Sequence, residues 1–134
     1  MKAKLISAAL SALFLLGCEE TSKLQEVELP VAAVQTAGFP KAAVKVDTTL
    51  TLKVLFQPAN GCGRFSRADS VKTDQVTEIR LFAAYPTAEM KAVCTDVAKL
   101  NTFSFQFKTT TIGKHYFRFW QSEGKYLEEV VEVK

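Results

Sequence analysis

His115 is the only histidine in this 134-residue chain, which limits what the sequence could catalyse or bind. A multi-histidine metal centre is excluded. Nucleophilic catalysis needs a nucleophile, a base and a group that orients the base. Serines are present, but His115 follows Gly113 in a strand-like run with Phe117 and Phe119 on its own side, the setting of a histidine at the margin of a core. Glu128, Glu129 and Glu132 could supply acid–base chemistry, yet adjacent residues of a strand face opposite ways, so Glu128 and Glu129 cannot act as a pair. They read better as charges that guard an edge strand. Asp69, Asp74 and Glu78 fall in what reads as a polar connector and could ligate calcium, but their spacing fits no known calcium loop. No glycine-rich phosphate loop is present. The chain therefore reads as a non-enzyme with no catalytic residue, no metal site and no cofactor. One row keeps a functional reading: if Phe117 and Phe119 point inward, Tyr116, Arg118 and Trp120 point outward, and these residue types anchor interfaces. The competing structural reading packs the row beneath a loop or against Phe82.

The three cysteines divide unequally. Lys2 and Lys4 precede an uncharged run from Leu5 to Gly17, which fits the charged and apolar regions of a secretory signal and is too short to span a bilayer. Leu15-Leu16-Gly17-Cys18 then resembles the bacterial lipobox, in which the signal is cut before a cysteine whose thiol carries acyl chains. The resemblance implies a chain anchored to a membrane through lipid on Cys18. Glu19 and Glu20 resemble sorting signals, for inner-membrane retention or for surface export. The outer membrane is the expected location, with the leaflet left open. With Cys18 so used, Cys62 and Cys94 are an even remainder in an exported chain, the usual context for a disulfide. A redox pair is disfavoured because no C-x-x-C spacing exists.

Setting aside residues 1–17 leaves 117 residues with 15 basic and 14 acidic side chains. That length suits one domain, and a nearly neutral surface offers no field for nucleic acid. Nine of the chain's ten Phe lie in this part and supply a core. Residues 18–29 are polar and without a clear period, and read as a tether; the domain is expected over 30–134.

Period-two alternation dominates that domain. Val31 to Gln35 and Ala42 to Val46 read as a first strand broken at Thr36–Pro40, where the chain would cross between sheets. Leu50, Leu52, Val54 and Phe56 alternate with Thr51, Lys53, Leu55 and Gln57, and Phe103, Phe105 and Phe107 with Ser104, Gln106 and Lys108. Ile79 to Tyr85, Gly113 to Trp120 and Tyr126 to Val133 repeat the pattern, and a further strand restarts at Cys62 and carries Phe65. Residues 86–100 read as a long loop. About seven short strands at this spacing predict an all-β antiparallel sandwich.

With the lipobox, Asn60-Gly61-Cys62-Gly63-Arg64-Phe65, Cys94 and the strand from Gly113 to Trp120 on view, the chain resembles small immunoglobulin-like lipoproteins of Bacteroidota. The position two residues after Gly113 is His115, with Tyr116 next, where such domains often place the tyrosine first. The resemblance implies an immunoglobulin-like sandwich in the cell envelope and no known activity. The leading expectation is a lipid-anchored, non-enzymatic module that binds an envelope protein or a glycan. The alternative is an inhibitor or immunity-type lipoprotein that blocks a hydrolase by inserting a loop such as 86–93.

Overall fold

The structure, a computed structural model, describes residues 26–134. Its eight strands are β1 (Val27–Val31), β2 (Ala33–Ala37), β3 (Thr49–Phe56), β4 (Arg64–Thr73), β5 (Val76–Tyr85), β6 (Asn101–Lys108), β7 (Gly113–Ser122) and β8 (Lys125–Val133), with one 3-10 turn at Ala88–Met90. The alternation read in the sequence sorts their side chains into two faces. Leu52, Val54 and Phe56 of β3 are fully buried, as are Leu81, Ala83, Phe119 and Val131 from the opposing strands. Phe39, Phe105 and Phe117 fill the space between, with Phe39 edge-on to Phe117 at 5.6 Å.

Two sheets enclose this core, so the predicted sandwich is present. One sheet has β2, β3 and β6, all antiparallel. In the other, β5 pairs with β4 along one edge; β1 takes Leu81–Tyr85 and β7 takes Val76–Ile79 of its other edge, and β8 closes the order beyond β7.

Three features differ from the sequence reading. The β5–β7 pairing is parallel, whereas an antiparallel sandwich was expected. The chain leaves β5 for the other sheet, runs back as β6 and returns as β7, so β5 and β7 point the same way and can only meet in parallel. The first strand switches sheets at residue 32 instead of at Thr36–Pro40: Val31 faces inward from one sheet and Ala33, two residues on, from the other. β1 and β2 are thus halves of one broken strand, which makes eight from the expected seven. Gly38, at φ +79°, turns the chain out of β2, and a Cβ there would lie 2.5 Å from the Thr51 carbonyl oxygen. Of residues 42–46, only Val44 bridges, in parallel to Val133, with its N–H donating to the Glu132 carbonyl at 2.8 Å.

The third difference is the polar connector, which is a hairpin. Asp69 lies in β4, Glu78 in β5, and Asp74 in the turn between them at φ 54°. β4 pairs on one side only, so its exposed face tolerates the charge that disguised it. At the N-terminus, β1 begins inside the segment read as tether, because Val27 to Val31 pair with the end of β5. Residues 1–25, with the signal segment, Cys18 and the remaining tether, lie outside the described residues.

Among the described residues, Thr109 is the polar side chain that is fully buried. Its hydroxyl accepts the Thr48 N–H at 2.9 Å and donates to the Lys45 carbonyl at 2.8 Å. Thr109→Val keeps the shape and leaves both groups without their partner, an expected loss of about 1–3 kcal/mol. A urea midpoint equal to that of the wild type would refute this account.

Candidate functional site

The outer face of the five-stranded sheet presents cross-strand rows set by register. Asp69 of β4 pairs with Arg80 of β5, and Trp120 of β7 pairs with Tyr126 of β8. Because Ile79 is level with Phe119 across the parallel seam, Arg80 and Trp120 adjoin, and the Arg80 guanidinium lies over the indole at 4.8 Å. The adjoining row runs through Glu78, Arg118 and Glu128. Arg118 donates to Glu78 at 2.8 Å and to Glu128 at 3.1 Å, and its guanidinium covers the Tyr126 ring at 4.2 Å. A third stack sets Arg67 over Phe82 at 3.9 Å. Exposed ion pairs contribute little stability singly, about 0–1 kcal/mol. Here each arginine is held twice or stacked, which fixes the side chains in place.

Tyr116, Arg118 and Trp120 therefore share the outer face, as the alternation requires, and differ in availability. Tyr116 is 45% exposed beside the exposed Val130. Trp120 is half-buried, lining a depression of about 240 Å³ together with Asp69, Glu78, Arg80 and Tyr126. The structural alternative expected Phe82 or a loop as the partner of this row; the partners are Arg80, Tyr126 and two glutamates.

Nearer the start of β1, Glu28 spans β5 to accept hydrogen bonds from Ser66 and from Arg67, the latter at 3.0 Å. Those two bonds, Ser66 first, hold its carboxyl below the usual carboxylate range. Bonds to Asp69 and then Glu28 raise the Arg67 guanidinium. Glu26 pairs with Arg64 in the same way.

The candidate catalytic groups are placed apart. His115 is buried and its Nε2 lies 2.7 Å from the Thr111 carbonyl; an oxygen acceptor there requires the proton on Nε2, and Nδ1 has no partner among the described residues. Glu128 meets Arg118, whereas Glu129 on the opposite face accepts from the Thr36 hydroxyl. No group of three or more potential metal ligands occurs among the described residues.

The second feature is a braced loop at one end of the sandwich. Cys62 and Cys94 form a disulfide, with Cα atoms 5.2 Å apart, which ties residues 57–63 to residues 86–100. Around it, Gly61 N–H donates to the Thr95 carbonyl at 2.8 Å, Ala59 N–H to the Tyr85 hydroxyl at 2.9 Å, and the Gln57 amide to the Ala98 carbonyl at 2.9 Å. Gly63 packs so closely that a Cβ would sit 2.6 Å from the Tyr85 ring. The segment is a loop, as expected, apart from the single 3-10 turn. Its exposed residues include polar Glu89, Lys91, Asp96 and Lys99, but also Val93 at 99%, Val97 at 76% and Leu100 at 47%.

No family model, curated protein or solved structure matches this chain.

Sequence reasoning missed the exposed aliphatic tip and the arginines that stack on the aromatic row. A sign of the first was present, since three large aliphatics in a loop already closed by a cysteine have no strand to bury them. The second depended on a parallel register that brings Arg80 beside Trp120, and nothing local encodes it.

Proposed function

We propose that this protein is a lipid-anchored β-sandwich of the bacterial cell envelope that acts as a non-enzymatic binding or structural module for an envelope protein or a glycan. The observation that carries the reading is the order of the outer sheet face. Arg118 is clamped by two carboxylates and a tyrosine ring, and Trp120 is held against Arg80. Aromatic and arginine side chains fixed before binding lose little freedom when a partner arrives. The Leu15-Leu16-Gly17-Cys18 sequence supports the anchor, and the near-neutral charge supports a partner other than nucleic acid.

Fractionation of cells that make the full chain tests the anchor. Cys18→Ala is expected to move the protein from the membrane to the soluble fraction, and retention in the membrane would remove the anchoring claim. Cross-linking in the same cells tests the face. Partners recovered with the wild type are expected to be lost with Tyr116→Ala combined with Trp120→Ala; recovery at the wild-type level assigns binding elsewhere.

A second reading, an inhibitor or immunity-type lipoprotein that inserts loop 86–93 into a hydrolase, draws on the exposure of Val93 within a braced loop. It predicts that Val93→Asp abolishes inhibition of the target hydrolase while the sheet-face substitutions leave it intact.

A further inference from the structure

We infer that the end of the sandwich bearing loop 86–100 rests on the bilayer, with Val93, Val97 and Leu100 entering the boundary between headgroups and acyl chains. The inference builds on the Cys18 reading above.

Strand registers show which ends coincide. Val27, at the start of β1, is level with Tyr85, the last residue of β5, and Arg64, the first residue of β4, is level with Ala84. β6 begins at Asn101 opposite Phe56, where β3 ends. The entry of the N-terminal segment, loop 57–63 and loop 86–100 therefore share one end of the molecule. The β4–β5 turn at Asp74 and the link that carries Ile112 lie at the other.

The segment before β1 is short. Residues 19–25 separate Cys18 from Glu26, and even full extension gives a reach of at most about 28 Å. A ten-residue strand such as β5 is itself about 33 Å long. A lipid on Cys18 therefore holds the loop end near the membrane surface, and the opposite end can approach it only with the segment close to full extension and the domain tilted.

The chemistry of that end suits a lipid surface. Three large aliphatics project from one loop, and Val27 and Leu29 beside it are also exposed. The disulfide and its surrounding hydrogen bonds fix the loop, so insertion costs little ordering. Glu89 and Asp96 balance Lys91 and Lys99, so the contact is apolar and should depend little on salt, unlike a polybasic patch. With the loop end on the bilayer, the face bearing Tyr116 and Trp120 stands to the side, open to a partner.

Tryptophan quenching in vesicles tests this. The lipidated full-length mature protein is reconstituted into vesicles of phosphatidylethanolamine and phosphatidylglycerol with brominated acyl chains. Val93→Trp places a probe at the tip, Ile112→Trp places one at the far end, and the wild type, with Trp120 on the sheet face, supplies the background. An inserted tip at the headgroup–acyl boundary predicts roughly twofold or stronger quenching of the added Val93→Trp emission and none of the added Ile112→Trp emission. Equal quenching of both, or of neither, in protein that floats with the vesicles overturns the orientation and leaves the anchor standing. Protein that fails to float overturns the anchor and the orientation together. Protection of the Val93→Trp probe from quenching by a co-purifying hydrolase assigns the loop to the inhibitor reading and overturns this one.

Discussion

Phe119→Ala is expected to lower the free energy of unfolding by about 3–5 kcal/mol, the range for removing a large buried aromatic. Phe119 is fully buried, meets Phe39 at 6.0 Å and Phe105 at 6.2 Å, and stands level with Ile79 across the parallel seam and with Leu127 across β8. It touches residues of both sheets, so the cavity cannot close by moving one strand. Domains of this size are stable by about 5–15 kcal/mol, so the loss takes a large share of the total. Urea denaturation reads the effect as a lower midpoint at an unchanged slope. Tyr116→Ala, on the outer face of the same strand, provides the comparison at about 0.5 kcal/mol or less. Equal midpoints for the two variants would show that the inward and outward faces of β7 are wrongly assigned.

Replacing both Cys62 and Cys94 by serine is expected to cost about 3–4 kcal/mol, from the entropy that a cross-link of separation 32 removes from the unfolded chain. The hydrogen bonds around the bridge give the loss a second, local part. Without the link, the bond from Gly61 to Thr95 and that from Gln57 to Ala98 must hold residues 86–100 alone. Amide exchange in 86–100 should therefore rise well above the change in the strands. A double-serine protein with the urea midpoint of the oxidised wild type would show that the staple constrains nothing. Reducing agent added to the wild type should reproduce the variant.

Much of this architecture was legible because alternation is a local property. Leu52, Val54 and Phe56, and Ile79, Leu81 and Ala83, announce their inward faces by spacing alone, and each faces the core. The outward direction of Tyr116, Arg118 and Trp120 follows from Phe117 and Phe119 by the same rule. The disulfide was legible by count, once the resemblance of residues 15–18 to a lipobox set Cys18 apart. What escaped depends on partners distant in the chain. β4 is polar because it lies at an edge, so only its start, in the strand expected from Cys62 with Phe65, was marked, and the rest read as a connector. The stacking of Arg80 on Trp120 needs β5 and β7 to run side by side, which follows from the route of β6 and not from either strand's composition. β1 escaped for a similar reason, since Val27 and Leu29 remain exposed and only backbone pairing with β5 makes the segment a strand.

The parallel seam also sets an order of assembly. The β4–β5 and β7–β8 hairpins close over turns of two residues, so each can form early from neighbouring chain. The seam joins Val76 to Tyr116 and cannot zip until β6 has crossed to the other sheet and come back, which charges the full loop-closure entropy before any contact repays it. Substitutions along that seam should accelerate unfolding far more than they retard folding, while those in the hairpin turns should do the reverse. On this order the two hairpins form before they meet, and slower closure of the seam is expected to leave the Phe-rich β6 uncovered for longer.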